Sequence, residues 1–269
     1  RHRSWSHRPA WWVVALASIG LAFLALPVVA LLWRAVESGA LGDALAGRAV
    51  LDALALSLTS TVVSLVVVVT VGTPLAFVLA RSEFRGKALG EALVDLPIVL
   101  PPSVAGLALL FAFGRNGLAG GALELAGITL PFTTLAVVVA QVFVASPFYV
   151  RAARAGFRGV EPEVEEAARV DGASENAVLG RITLPLAAPA VGAGLVLAWA
   201  RALGEFGATI LFAGNIEGRT QTLPLLVYSE FQGSLDAATA AATILVLAAF
   251  GVLVAVRLLR WPSGGGWMS

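Results

Sequence analysis

Arg201 and Glu205 stand four residues apart inside a stretch that is otherwise apolar from Leu186 to about Leu211. One helical turn between an arginine and a carboxylate puts both on the same helix face. Ionised groups at membrane depth are costly, so they mark substrate paths or paired locks. Beside a path, Arg201 would attract an anion while Glu205 limits how tightly it is held. As a satisfied pair, the two would lock helix packing, with Gly204 and Gly207 admitting a close neighbour. At ~1.5 Å per residue from Leu186, Arg201 falls about 22 Å along, in the outer half of a ~30 Å hydrocarbon core. A second constellation is the stripe Ser57, Ser60, Thr61 and Ser64, whose hydroxyls recur at helical spacing in an apolar run. It either lines a path or supplies hydrogen bonds between helices.

Much chemistry is excluded. There is no cysteine and the only histidines are His2 and His7, so disulfides, thiol nucleophiles and the common soft-metal sites drop out. No metal site and no catalytic residue is expected. An enzyme inside the membrane would need a nucleophile beside a base or a pair of carboxylates, and Glu205 is alone. A phosphate-binding loop needs glycine, four residues, then Gly-Lys-Ser/Thr. Around the sole lysine, Lys87, Arg81 takes the first glycine position and Ala88 the hydroxyl position. The chain does not bind ATP by that route.

These residues must be positioned by membrane helices. Of 269 residues, 58% are apolar and 13% charged, against roughly 25% charged in soluble domains. The mean hydropathy is +0.88. Six apolar runs, Trp11–Trp33, Ala53–Ala80, Leu96–Gly114, Ile128–Val150, Leu186 to about Leu211 and Ala237–Val256, each approach the ~20 residues that cross a bilayer. The expected fold is all-α and polytopic, with six transmembrane helices and two short cytoplasmic helices. The first run exceeds the roughly 7–15 apolar residues of a signal peptide and reads as an uncleaved span.

Lysine and arginine distribution sets the orientation. Arg1, Arg3 and Arg8, the 81–87 loop, the 151–181 loop and Arg257 with Arg260 fall on one side, and Arg34, Arg48, Arg115 and Arg219 on the other. Both termini therefore read as cytoplasmic: a segment 1–10, a membrane domain 11–259 and a tail 260–269. Trp11, Trp12, Trp33 and Trp261 agree, since indole rings suit the headgroup region. Pro74 and Pro147 read as kinks, and Pro97, Pro101 and Pro102 make the start of the third span irregular. A channel or ion-coupled secondary transporter would need a fixed filter or paired broken helices in inverted halves, and neither is legible.

One connection, Arg151 to Pro185, carries far more charge than the others. Glu161-Pro162-Glu163 favours a helix start, because proline lacks only an unneeded donor and carboxylates complement the helix dipole. Gly172 should end that helix and Ser174 cap a second. Pro185 and Pro189 then fall in the first turn of the fifth span. Local physics alone leaves an ordinary solvated helical loop open.

The spacing does more. Glu166-Ala167-Ala168, three residues, Gly172, nine residues, Ile182, one residue and Leu184-Pro185 resemble the coupling-loop motif of type I ATP-binding-cassette importer permeases. Arg201 through Thr209, Gly214-Asn215 and Arg219 through Pro224 are similar to the molybdate/tungstate branch, and the first of these also to sulfate and thiosulfate permeases. The family core spans about 53–256, with a coupling loop over 159–185. The resemblance implies a homodimer in the bacterial or archaeal cytoplasmic membrane, in contact with lipid and not with nucleic acid. It implies two copies of a cytoplasmic ATPase, which bind the ATP and Mg. It implies an external binding protein that delivers the oxyanion. It carries docking onto the ATPase to Glu166, Ala167, Ala168 and Gly172. The outer stretch Asn215–Glu230, with Asn215, Arg219, Gln221 and Tyr228, faces the binding protein or the anion's entrance, or is a plain solvated connection.

Overall fold

Apolar runs of this length leave the backbone no polar partner but itself. Residues 10–259, which this computed structural model describes, accordingly form helices and turns with no strand among them. In chain order they are α1 (Trp11–Ser38), α2 (Ala40–Ala46), α3 (Arg48–Arg81), α4 (Lys87–Val99), α5 (Pro102–Phe113), α6 (Gly120–Leu125) and α7 (Thr134–Arg158). Then come α8 (Pro162–Val170), α9 (Glu175–Val178), a π-helical turn (Leu179–Thr183), α10 (Leu184–Leu203), α11 (Gly207–Phe212), α12 (Leu223–Phe231) and α13 (Leu235–Leu259). Arg1, His2, Arg3, His7, Arg8, Arg260 and Trp261 lie outside the described residues.

Among the described residues, five helical units are long and apolar enough to span: α1, α3, α7, the unit Glu175–Leu203, and α13. The expected third span is two helices instead. Leu100, ahead of Pro101, is extended with ψ 131°, because the proline ring disfavours the helical region for the residue before it. The chain restarts as α5, about 18 Å long at ~1.5 Å per residue and too short to cross alone.

The fourth span is displaced towards the C-terminus. It begins at Thr134, since Pro131 and Phe132, at φ 60°, stand ahead of it and Thr133 caps it by accepting from the Ala136 amide at 3.2 Å. It continues through Arg158, so Arg151, Arg154 and Arg158 belong to the helix rather than to the loop.

The fifth span is also interrupted. Gly204 to Phe206 separate α10 from α11, where one run to about Leu211 is expected. Broken helices therefore occur twice, the first at the prolines that make the start of the third span irregular and the second where the sequence-based reading has an unbroken run. At its other end α10 continues from α9 through the π turn, where the Leu184 amide bonds the Leu179 carbonyl. That wider turn makes room for Pro185, whose ring would crowd an α-helical carbonyl. Pro189 consequently lies inside α10 rather than in a first turn.

The core forms around α7. Its residues Ala145, Tyr149, Ala153 and Phe157 pack on Leu65, Val68, Ala76 and Leu79 of α3 and on Ala187, Ala198 and Ala202 of α10. Small side chains matter here because lipid gives apolar helices no hydrophobic reason to associate, so close van der Waals contact must. The N-terminal half of α7, through Val137, Ala140 and Val144, meets Ala105 and Leu109 of α5 and Ala208 and Phe212 of α11. The stretch Asn215–Glu230 is not a plain solvated connection. Leu223 and Leu226 of α12 are buried against Val50 and Ala53 of α3 and Ala241 and Ile244 of α13.

Candidate functional site

The two helix breaks lie against each other. A Cβ on Gly207 would come within 2.5 Å of Pro102 Cβ, and one on Gly106 within 2.7 Å of the Ala208 carbonyl, so α5 and α11 touch backbone to backbone. Beside this contact opens a cleft of about 420 Å³ lined by Pro97, Leu100, Phe148, Arg201, Glu205 and Phe206. Irregular backbone at membrane depth belongs where it lines such a cavity.

Arg201 occupies the last turn of α10, where a cation complements the dipole. Glu205 lies past the end of that helix, in the break, and not on its face. It is 1% exposed, with Oε2 2.5 Å from Arg201 Nη1 and Oε1 accepting from the Ala208 amide at 2.6 Å. Charge-assisted bonds of this kind are the strong ones. The Arg201 side chain keeps 26% of its surface exposed in the cleft.

The hydroxyl stripe sits elsewhere. Ser57, Ser60, Thr61 and Ser64 are buried, and none of them lines that cleft. Ser57 Oγ accepts from the Leu223 amide at 2.7 Å, tying α3 to α12. Ser64 Oγ lies 2.9 Å from Gln141 Oε1, and Gln141 Nε2 donates to Thr61 Oγ1 at 3.3 Å and to the Ala202 carbonyl at 3.2 Å. Gln141 of α7 thereby links α3 to the end of α10 that carries Arg201. Sequence reading passed over it, although an amide alone in an apolar run is a signal in itself.

The second candidate region is α8–α9. Pro162 opens α8. Its end is a Schellman closure: the Gly172 amide bonds the Arg169 carbonyl at 3.0 Å and the Ala173 amide the Ala168 carbonyl at 2.9 Å, with Gly172 at φ 89°. Ser174 caps α9, accepting from the Ala177 amide at 3.4 Å. Glu166, Ala167 and Gly172 are exposed and Ala168 is half-buried. Val170 beside them is 87% exposed. Arg169 bridges to Glu175 through Nε at 2.7 Å and Nη2 at 3.1 Å, a hydrogen bond that pushes the guanidinium pKa further up and braces the corner.

Sequence reading also missed Glu165, the buried carboxylate of α8. Arg81 Nη2 donates to its Oε1 at 2.8 Å and Thr183 Oγ1 donates to the same oxygen at 2.7 Å. Arg154 and Arg158, counted among the charges of the loop, pair instead with Glu91 of α4 at 2.9 and 3.1 Å.

The outer candidates are dispersed. Asn215 Nδ2 donates to Ser229 Oγ at 2.7 Å, Arg219 is exposed, and Gln221 is half-buried. Tyr228 reaches the break, its ring 5.2 Å from that of Phe206. Among the described residues no group of three or more His, Cys, Asp or Glu is placed to hold a metal ion.

Residues 72–260 match the family model described as binding-protein-dependent transport system inner membrane component. The molybdenum transport system permease protein ModB of Mycobacterium tuberculosis is 44% identical over 253 residues, which cover 94% of this chain and 95% of that protein. The probable transport system permease protein NifC of Clostridium pasteurianum is 40% identical over 247 residues, covering 91% and 86%. A chain of the crystal structure of a bacterial alginate ABC transporter, in complex with an alginate pentasaccharide-bound periplasmic protein, aligns with a TM-score of 0.76 over 93% of both chains. At 18% identity it speaks for the fold alone. The chain belongs to the binding-protein-dependent transport system inner membrane components, the membrane-embedded permease subunits of ATP-binding-cassette transporters.

Proposed function

We propose that this permease imports a tetrahedral oxyanion, molybdate or tungstate, by alternating access driven by a separate ATPase. The observation that carries this reading is the 44% identity, over nearly the whole of both chains, to a protein named as a molybdenum permease. The working assembly is two copies of this chain, two copies of a cytoplasmic ATPase that hold the ATP and Mg, and an external binding protein. Both termini face the cytoplasm.

Glu166, Ala167, Ala168 and Gly172 dock on the ATPase, where short side chains and a tight turn allow close approach. Arg201 meets the anion in the cleft between the broken helices. A guanidinium fork matches the paired oxygens of such an anion, and the Glu205 carboxylate already on Nη1 keeps the attraction weak enough for release. Ser57, Thr61 and Ser64 hold the helices that frame the path. Asn215, Arg219 and Gln221 face the binding protein.

The test is ATP hydrolysis by the reconstituted complex, with its binding protein, in molybdate, tungstate or sulfate. Stimulation by the first two supports the reading. Stimulation by sulfate alone reassigns the substrate to sulfate or thiosulfate, and a response to none of the three rejects an oxyanion.

A further inference from the structure

Four glutamates cluster in α8 and its cap: Glu161, Glu163, Glu165 and Glu166. Three are exposed, as carboxylates near a helix start ordinarily are. Glu165 alone is turned inward, at 7% exposure, and both of its short contacts come from outside α8. One is Arg81, the last residue of α3, and the other is Thr183, the last residue of the π turn that runs into α10. Arg81 Nη2 also donates to the Val160 carbonyl at 3.1 Å, strapping the chain just ahead of α8.

A nine-residue helix held only at its ends, by Gly159 and the Gly172 turn, would answer a push by rotating in place. The contacts of Glu165 prevent that, because they fix the middle of α8 to two membrane helices. We infer that Glu165 is the joint through which displacement of α8 reaches α3 and α10 together, a positioning residue for transport that takes no part in docking. The inference rests on the reading of α8 as the ATPase contact. It assigns the work of transmission to the one glutamate of the four that cannot face the ATPase.

Chemistry favours a carboxylate here over any neutral acceptor. Arg81 Nε is buried without a partner, so the guanidinium depends on Glu165 and Val160 to offset its lost hydration. Glutamine at 165 would still accept from Thr183 but would leave the arginine without its counter-charge. Valine at 183 would remove the other arm and leave the ion pair.

The experiment uses the complete importer, reconstituted with its ATPase and binding protein, and reads molybdate taken up per ATP hydrolysed. In E165Q and in T183V, assembled complex and ATP hydrolysis should stay at wild-type levels while uptake per ATP falls about fivefold or more, the scale of a typical coupling between sites. The charge swap R81E with E165R should restore part of the ratio. An unchanged ratio in both single variants overturns the inference. So does a fall of uptake and hydrolysis together in proportion to assembled complex, which is what a purely structural role gives. A167W serves as the control for docking and should fail to assemble with the ATPase. If A167W assembles and transports normally, the docking reading fails whatever E165Q does. If A167W fails and E165Q couples normally, only the role given to Glu165 is lost.

Discussion

Glu165 and Glu205 are the two buried carboxylates among the described residues, and each faces an arginine. Their partners differ in kind. Glu205 takes its bonds from Arg201 and Ala208, both within four residues of it, so it shapes one turn of one chain segment. Glu165 takes its hydrogen bonds from Arg81 and Thr183, 84 and 18 residues away, while Arg169 of its own helix stands farther off at 3.9 Å, so it determines which elements move as one. The difference separates two jobs a membrane carboxylate can do. A locally satisfied pair can sit open to a cleft and present a tempered charge, whereas a remotely satisfied one makes a mechanical connection.

The largest expected effect comes from breaking the local pair. Arg201→Ala leaves Glu205 buried with only the Ala208 amide as partner. Removing one member of a buried pair costs roughly 3–5 kcal/mol, an upper bound here because Arg201 is 26% exposed. The thermal midpoint of the purified permease should fall, and adding Glu205→Gln to that variant should recover most of the loss. Uptake normalised to folded protein should stay low in both. If uptake merely follows the amount of folded protein, Arg201 and Glu205 are a packing lock, and the contrast with Glu165 collapses.

Gln141 sharpens the comparison, because it links remote helices without any charge. Gln141→Leu removes the bonds to Thr61, Ser64 and the Ala202 carbonyl. Buried polar groups left unpaired cost about 1–3 kcal/mol, and intramembrane bonds fall near the low end of that range. A smaller drop in midpoint is expected than for Arg201→Ala. It should come with increased mobility of the Arg201-bearing end of α10, read by a spin label placed there. A label as immobile as in wild type would mean that α10 is held by its alanines alone.

The parts of this arrangement that sequence made legible are those fixed within a turn or two. The start of α8 at Pro162, its closure at Gly172 and the cap at Ser174 depend on neighbours three to five residues away, and all three are seen. Hydropathy found the spans but not their interruptions, since Leu100 and Phe206 are as apolar as the helices they break. What interrupts them is backbone chemistry: Pro101 restricts Leu100, and Gly204 ends α10 where α11 must approach Pro102. Glu165 was illegible for another reason. Nothing near it separates it from Glu161, Glu163 or Glu166; Arg81, at the far end of another helix, and Thr183, ahead of α10, select it. Gln141 was overlooked for want of a partner at helical spacing, its partners lying on α3 and α10.

The smallest expected effect on stability, and the strictest test of the coupling region, is at Gly172. Its φ of 89° is strained for any side chain, yet a Cβ there meets nothing within 4 Å. Within this chain a substitution therefore acts through the backbone alone, at a cost of about 1–2 kcal/mol for a left-handed residue. Since the turn is exposed and distant from the core around α7, that cost should appear as local opening of the Schellman bonds, with faster hydrogen exchange at the Ala173 amide. The thermal midpoint of the membrane helices should not move. Asparagine tolerates the left-handed region and β-branched residues do not. Uptake should accordingly fall in the order glycine, asparagine, alanine, valine at this position. That ranking follows conformation and not size, because valine and asparagine are of similar bulk in open space. A flat series would detach transport from the geometry of the turn. A series that follows side-chain volume would mean that Gly172 serves the docking on the ATPase by its small size and not by the conformation of the turn.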